Sequence, residues 1–245
     1  MTDDHQLAAE LASAAGDLLV ALRAELGFDD PRMLRAEGDR RSHELLVELL
    51  ARYRPGDAVL SEEGKDDPSR LDAERVWIVD PLDGTREYGE EGRTDWAVHV
   101  ALWQDGELAA GAVALPAAGS VLATGSPPAE RPSPGPTPRV VVSRTRAPDW
   151  VTALAGDLGG ELLPMGSAGA KIAAVVMGDA DVYVHAGGQY EWDSAAPVAV
   201  ASAAGLHCSR LDGSPLRYNQ PDPLLPDLVV CRPDLASDVL ARLPR

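Results

Sequence analysis

Two carboxylates stand three residues apart in Val76-Trp77-Ile78-Val79-Asp80-Pro81-Leu82-Asp83-Gly84-Thr85, where an apolar, β-branched run breaks into acid, proline, acid, glycine and hydroxyl. The run predicts a strand, and Pro81 and Gly84 the turn that ends it. At the mouth of a strand, Asp80 and Asp83 offer hard oxygen ligands on stiff backbone. Such a pair suits Mg²⁺, which takes carboxylates, backbone carbonyls, water and phosphate oxygens. An acidic turn is also an ordinary surface feature, because Asp, Pro and Gly are turn residues in any case. The decision rests on partners elsewhere in the chain. Glu62 ends the preceding predicted strand, and two strand ends lying side by side would bring it next to Asp80, with Glu63 facing the other way. Asp193 follows Glu191-Trp192 at the head of a predicted helix, where capping competes with metal ligation as the use of its carboxylate.

The elements that must position these acids follow from periodicity. Leu7, Leu11, Ala14, Leu18 and Leu22 predict a helix from about Asp3 to Glu25, ending at Gly27. Leu45, Leu46, Leu49 and Leu50 predict a second from Asp39 or Ser42 to Arg52, stopped by Pro55-Gly56. Strands are expected at Ala58–Leu60, Val76–Val79, Trp96–Trp103, Leu108–Leu115 and Ser120–Thr124, with a hairpin turn at Gln104-Asp105-Gly106-Glu107. The first half thus reads as two helices followed by antiparallel strands. Ser126 to Pro138 holds six prolines in thirteen residues and reads as a connector. Beyond it the pattern alternates. Strands at Val140–Val142, Glu161–Pro164, Asp181–His185 and Leu228–Cys231 interleave with helices at Pro148–Leu158, Ser167–Met177, Asp193–Ala204 and Pro233–Leu243. The expected fold class is α/β: an α+β N-terminal half (1–126) carrying most of the acids, the proline-rich connector (127–138) and an α/β C-terminal half (139–245).

The chain has 245 residues, with 39 Asp and Glu against 22 Lys and Arg, a net charge of −17. That balance argues against nucleic acid and anionic membranes as partners, since both need a basic face. A phosphorylated substrate stays compatible, because bound dications reverse the local sign. Two cysteines without a C-x-x-C spacing, an acidic start without an apolar leader and the absence of a long apolar run lead to the expectation of a cytoplasmic protein. His99, His185 and His207 are expected to pack or face solvent rather than bind metal, and Trp77 and Trp192 to belong to the core.

Glu62-Glu63, Asp80-Pro81-Leu82-Asp83-Gly84-Thr85 and Trp192-Asp193, with Asp39 before them, together resemble the inositol monophosphatase-like superfamily of Mg²⁺-dependent, Li⁺-inhibited phosphomonoesterases. The resemblance runs from about Asp39 to Tyr218 and implies a layered αβαβα sugar-phosphatase-like fold. It implies that Glu62, Asp80 and the Leu82 carbonyl hold one Mg²⁺, that Asp80, Asp83 and Asp193 hold a second, and that Glu62 helps seat a weaker third. It also implies that Asp39 and Thr85 orient and deprotonate the attacking water. The N–H groups of Gly84 and Thr85 would cradle the phosphate. Two departures stand out: Arg86-Glu87 follows Thr85, and Arg35-Ala36-Glu37-Gly38 precedes Asp39.

For substrate, Ser143-Arg144, Gly166-Ser167-Ala168-Gly169-Ala170-Lys171, Glu191-Trp192-Asp193 and Asp212-Gly213-Ser214-Pro215-Leu216-Arg217-Tyr218-Asn219 are most similar to the 3′(2′),5′-bisphosphate nucleotidase (CysQ-type) branch. The branch implies hydrolysis of 3′-phosphoadenosine 5′-phosphate to AMP and phosphate, extending to 3′-phosphoadenylyl sulfate, and a place in sulfate assimilation. Ser143, Gly166, Ser167 and Lys171 are then substrate contacts, and Arg144 and Arg217 candidates for the second phosphate. Inositol phosphate or fructose 1,6-bisphosphate remain as alternative substrates, and a non-catalytic metal- or metabolite-binding regulator as a remote one. A homodimer stays open.

Overall fold

The computed structural model describes residues 3–127, 135–145 and 147–243. Most of the proline-rich connector, 128–134, therefore lies outside the described residues. Helix α1 (Asp4–Leu26) is capped by Asp3, whose side chain accepts from the Gln6 N–H at 2.7 Å. It buries Leu7, Leu11, Ala15, Leu19 and Leu22 as one stripe.

Helix α2 (Pro31–Tyr53) starts about two turns before the expected Asp39 and about three before Ser42. Its real start is Asp30-Pro31: the Asp30 carboxylate accepts from the N–H groups of Arg32 and Met33, and proline fits the first helical position. The opening turns escape the apolar pattern because they are held by charge, through Arg40 with Glu37 and Glu44, and Arg41 with Glu37. Asp39 therefore projects from the body of a helix rather than from its cap.

Five strands follow in one sheet: β1 (Ala58–Ser61), β2 (Arg75–Asp83), β3 (Ala97–Gln104), β4 (Glu107–Leu115) and β5 (Ser120–Ala123), in that order. The sheet is not wholly antiparallel as expected, for β1 runs parallel to β2 with Ser61 opposite Val79. The 62–74 segment, with a 3₁₀ turn at Pro68–Asp72, carries the chain back to the starting edge. Parallel pairing puts both C-terminal ends on the same side, which is what brings Glu62 to Asp80. Strand β2 also runs past the expected stop at Asp80. It pairs Asp80 with His99 and Asp83 with Ala97, so three steps on β2 match two on β3. That bulge is decisive, because on a regular strand residues three apart point to opposite faces.

After the four-residue helix α3 (Thr85–Tyr88) and the first sheet comes a second one. It comprises β6 (Arg139–Ser143), β7 (Glu161–Met165), β8 (Val182–Tyr190), β9 (His207–Ser209) and β10 (Leu224–Cys231), in the order β7-β6-β8-β10-β9. Strands β6, β7 and β8 are parallel, and β10 is antiparallel to its neighbours. The helices of this half are α4 (Asp149–Asp157), α5 (Ala168–Met177), α6 (Glu191–Ala203) and α7 (Ala236–Arg242), the last preceded by a 3₁₀ turn. Strand β9 is additional to the expected elements.

Three apolar clusters define five layers. α1 and α2 cover one face of the first sheet through Leu11, Leu19, Leu46, Trp77 and Val100. α5 and α6 fill the space between the sheets, touching Ile78 and Val113 on one side and Val141 and Leu228 on the other. α4 and α7 close the outer face through Val151, Leu154 and Val239. α5 and α6 are apolar nearly all round because both flanks are buried. The expected α/β/α/β/α order is thus the observed one. Cys208 and Cys231 are free: Cys208 pairs with Val230 across β9 and β10, so the two thiols point to opposite faces. No helix among the described residues is long and apolar enough to cross a membrane.

Candidate active site

The bulge in β2 turns Asp80 and Asp83 toward α6, and Asp193 meets them there. One carboxylate oxygen from each of the three lies within 4.8 Å of the others. Asp193 stands in the first turn of α6, which opens at Glu191, and not at the cap as expected. Its Oδ2 accepts from the Tyr190 N–H at 2.6 Å. One carboxylate thus secures the helix start and faces the cluster, so capping and ligation do not exclude each other.

The three acids are unequally compensated. Asp83 accepts from the N–H groups of Ala168 (3.1 Å) and Gly169 (2.6 Å) and from the Ser167 hydroxyl, and the His99 Nε2 lies 3.3 Å away. Burial would raise its pKa, but His99 and these donors outweigh it and hold it at about 2. Asp80 has far less support, a single N–H from Leu82 at 3.0 Å, and burial with the charges of Glu62, Asp83 and Asp193 raises it well above its ordinary value. Asp193 is pushed up to about 6 by burial and by Asp83. Glu62 keeps an exposed side, yet desolvation and the charges of Asp193, Asp83 and Glu63 push it up to about 7, against the pull of a hydrogen bond with Asp80. Burial and mutual repulsion thus push Asp80 and Glu62 in the same direction, upward.

His99 is the residue that sequence reasoning missed. It is fully buried, paired with Asp80 across the sheet, with Nδ1 3.0 Å from the Trp192 carbonyl. Burial works against its charge, but Asp83 and Trp192 outweigh that and raise its pKa. It joins Asp83 to the chain just before Asp193. Gly169 makes room for it, since a Cβ there would lie 1.9 Å from the His99 Nε2. The only sequence signal was a histidine in an apolar strand opposite the acids.

Beside the cluster, the Thr85 hydroxyl has two acceptors for its one proton, the Leu82 carbonyl at 3.0 Å and the Asp39 Oδ1 at 3.4 Å. Burial and the charge of Glu63 push Asp39 up to about 7, although Thr85 and Arg35 work in the other direction. The turn carrying Thr85 is pinned to α2 by the Ser42 hydroxyl, which donates to the Pro81 carbonyl at 2.7 Å. Gly84 turns the chain into α3 with φ 84°, a conformation that favours glycine.

The expected substrate residues divide. Gly84, Ser143, Ser167 and Lys171 line a cleft of about 1120 Å³ shared with Asp83 and Asp193. Within it Ser167 serves Asp83 and caps α5, accepting from the Ala170 N–H at 2.9 Å. The Lys171 ammonium, lowered in pKa by burial, donates to the carbonyls of Gly166 (3.2 Å) and Ser167 (2.5 Å). The Gly166 N–H donates to Asp95 at 2.5 Å. Arg144 is engaged by Glu87 at 2.6 Å and Glu90 at 2.7 Å, so the acid of the Arg86-Glu87 departure has a definite partner. Arg217 is not brought to the cleft. It lines a separate cavity between the far end of α6 and β4, so the expected contact with a second phosphate has no support in its placement. Trp150, on α4, lines the cleft instead.

The family model of the inositol monophosphatase family matches residues 6–242. The chain belongs to the inositol monophosphatase family. Among curated members of known name, a 3′-phosphoadenosine 5′-phosphate phosphatase of Mycobacterium leprae is 55% identical over 97% of this chain and 92% of its own length. The 3′(2′),5′-bisphosphate nucleotidase CysQ of Escherichia coli is 31% identical over 74% of this chain and 77% of its own. Among solved structures, CysQ from Bacteroides thetaiotaomicron superposes with a TM-score of 0.77 at 27% identity, covering 94% of this chain and 97% of that one.

Proposed function

We propose that this family member is a Mg²⁺-dependent phosphomonoesterase that hydrolyses 3′-phosphoadenosine 5′-phosphate to AMP and phosphate. The observation that carries the reading is the meeting of Asp80, Asp83 and Asp193 beside the Thr85–Asp39 pair. The donor set fits a hard dication: carboxylate oxygens of Asp80, Asp83 and Asp193 crowd within 4.8 Å of one another, and burial and mutual repulsion raise Asp80 and Glu62. Glu62, Asp80, Asp83, Asp193 and the Leu82 carbonyl would hold two to three such ions. Bound there, they would neutralise phosphoryl oxygens and make a water acidic enough to attack. Li⁺ would inhibit by competing for one of these positions.

The chain's own residues supply the rest. The Thr85 Oγ1, fixed between the Leu82 carbonyl and Asp39, orients the water and relays its proton to the Asp39 Oδ1, whose pKa of about 7 suits a base at neutral pH. The N–H groups of Gly84 and Thr85, at the turn into α3, would cradle the phosphate. Support for a nucleotide over an inositol phosphate comes from the 55% identical relative and from a cleft large enough for a nucleoside bisphosphate, with the half-buried Trp150 indole available for stacking on a base. 3′-Phosphoadenylyl sulfate shares the same 3′-phosphate.

The test is kcat/KM on 3′-phosphoadenosine 5′-phosphate, inositol phosphate and fructose 1,6-bisphosphate in Mg²⁺. The nucleotide is expected to lead. A value about tenfold below that for inositol phosphate would overturn the substrate. Absence of Mg²⁺-dependent phosphate release from all three would leave a binding protein.

A further inference from the structure

Arg70 is 1% exposed, and a buried guanidinium is tolerated only when its donors are matched. Its Nε donates to Asp66 Oδ1 at 2.7 Å, its Nη2 to Asp66 Oδ2 at 3.2 Å and to the Gln220 carbonyl at 2.8 Å, and its Nη1 to Asn219 Oδ1 at 2.6 Å. Asp66 and Arg70 belong to the excursion that follows Glu62, whereas Asn219 and Gln220 lie 149 and 150 residues further on. The link therefore ties the loop after β1 to the C-terminal half.

It continues to the acidic cluster. Glu191, also 1% exposed, accepts the Asn219 N–H at 2.6 Å and the Gln220 N–H at 2.8 Å. Glu191 opens α6, two residues before Asp193. Tyr218 adds a second grip, its hydroxyl lying 3.2 Å from the Ser194 hydroxyl. Asn219 sits at φ 58°, a conformation asparagine tolerates better than most residues, so its backbone can serve Glu191 while its side chain serves Arg70. One buried, charge-assisted chain of bonds thus runs from the loop after Glu62, through Arg70 and Asn219, to Glu191 and the helix start that carries Asp193.

We infer that the Arg70–Asn219–Glu191 bridge is a positioning device for the metal centre. It fixes the start of α6, and with it Asp193, against the strand ends bearing Glu62 and Asp80, so that acids from both halves face common ions. Outer partners of this kind orient ligands without touching the ion. The inference rests on the metal-site reading above and adds to it the residues that align the site.

The test uses the full-length protein carrying Asn219→Gly, which keeps a residue suited to positive φ and the N–H to Glu191 but deletes the acceptor for Arg70. Arg70→Lys, which keeps the charge but not the fork, is the second variant. Mn²⁺ binding without substrate, followed by electron paramagnetic resonance, and the Mg²⁺ dependence of kcat are measured together. In both variants the Mn²⁺ dissociation constant and the half-saturating Mg²⁺ concentration are expected to rise by about tenfold or more, with KM for the nucleotide at saturating Mg²⁺ within about twofold of wild type. Unchanged metal dependence with only a lowered Tm would reduce the bridge to a structural brace and overturn the inference. A raised KM with unchanged metal binding would overturn it as well, as would failure of both variants to fold. Wild-type protein that binds no Mn²⁺ would sink the metal-site reading itself, a distinguishable failure.

Discussion

Replacing Asp193 by Asn separates the two uses of this carboxylate. In the metal-free protein the folded state raises its pKa from 3.8 to about 6, through burial and the charge of Asp83. The sign follows from linkage: below about pH 4 the acid is protonated folded or unfolded, and its stability contribution is complete. As pH climbs toward 6 the unfolded chain releases the proton first, and folding stability is lost. A rise of that size corresponds to about 3 kcal/mol at ~1.4 kcal/mol per pH unit. Asp193 is partly open to the cleft, so solvent screening reduces this to about 1–2 kcal/mol. Asn is neutral throughout and its side-chain oxygen still accepts from the Tyr190 N–H. Asp193→Asn is therefore expected to be more stable than wild type in EDTA at pH 8. The rise in Tm is roughly 2–8 °C for a domain of this size, and the difference should vanish near pH 4. Added Mg²⁺ should stabilise wild type but not the variant, which should have lost activity. Thermal melts at pH 4 and pH 8, with EDTA or Mg²⁺, make the measurement. A variant less stable than wild type at pH 8 in EDTA would refute the reasoning, because the carboxylate would then act chiefly as a cap.

Thr85→Val removes the hydroxyl between Leu82 and Asp39 and should lower kcat by about 10²–10⁴-fold, with the half-saturating Mg²⁺ concentration unchanged; retention of most of the rate would remove Thr85 from the proton path. Asp39, pushed up to about 7, must be ionised to take that proton, so kcat should fall as pH drops below about 7, and steady-state profiles that stay flat down to pH 5 would assign the base elsewhere. Arg217→Ala should leave kcat and KM within about twofold of wild type, since its guanidinium lines another cavity; a KM raised about tenfold would return it to the substrate.

How far the sequence could be read depends on the range of the interactions. Element types were legible where one face is apolar, as in α1 with Leu7, Leu11 and Leu22. The first turns of α2 were not, because salt bridges among Glu37, Arg40, Arg41 and Glu44 replace the apolar stripe. The parallel pairing of β1 and β2 leaves no local mark, because direction is decided by where the intervening segment crosses. The bulge at Pro81-Leu82 was readable only as a turn, although its effect is to aim two acids the same way. Arg144 and Arg217 were indistinguishable as isolated cations. Packing gave one to Glu87 and Glu90 and the other to a distant cavity.

The donor chemistry is legible in residue types alone: which oxygens are available, the hydroxyl at Thr85 with its acid at Asp39, and the order of helices and strands that makes five layers. Those properties belong to residue type and short-range period. Tertiary packing settled which acids meet, which of them lies against His99 and the α5 N–H groups, and which are raised by burial and repulsion. The reason is that a carboxylate's charge state depends on desolvation and on neighbours within a few ångströms. At this site those neighbours come from segments far apart in the chain.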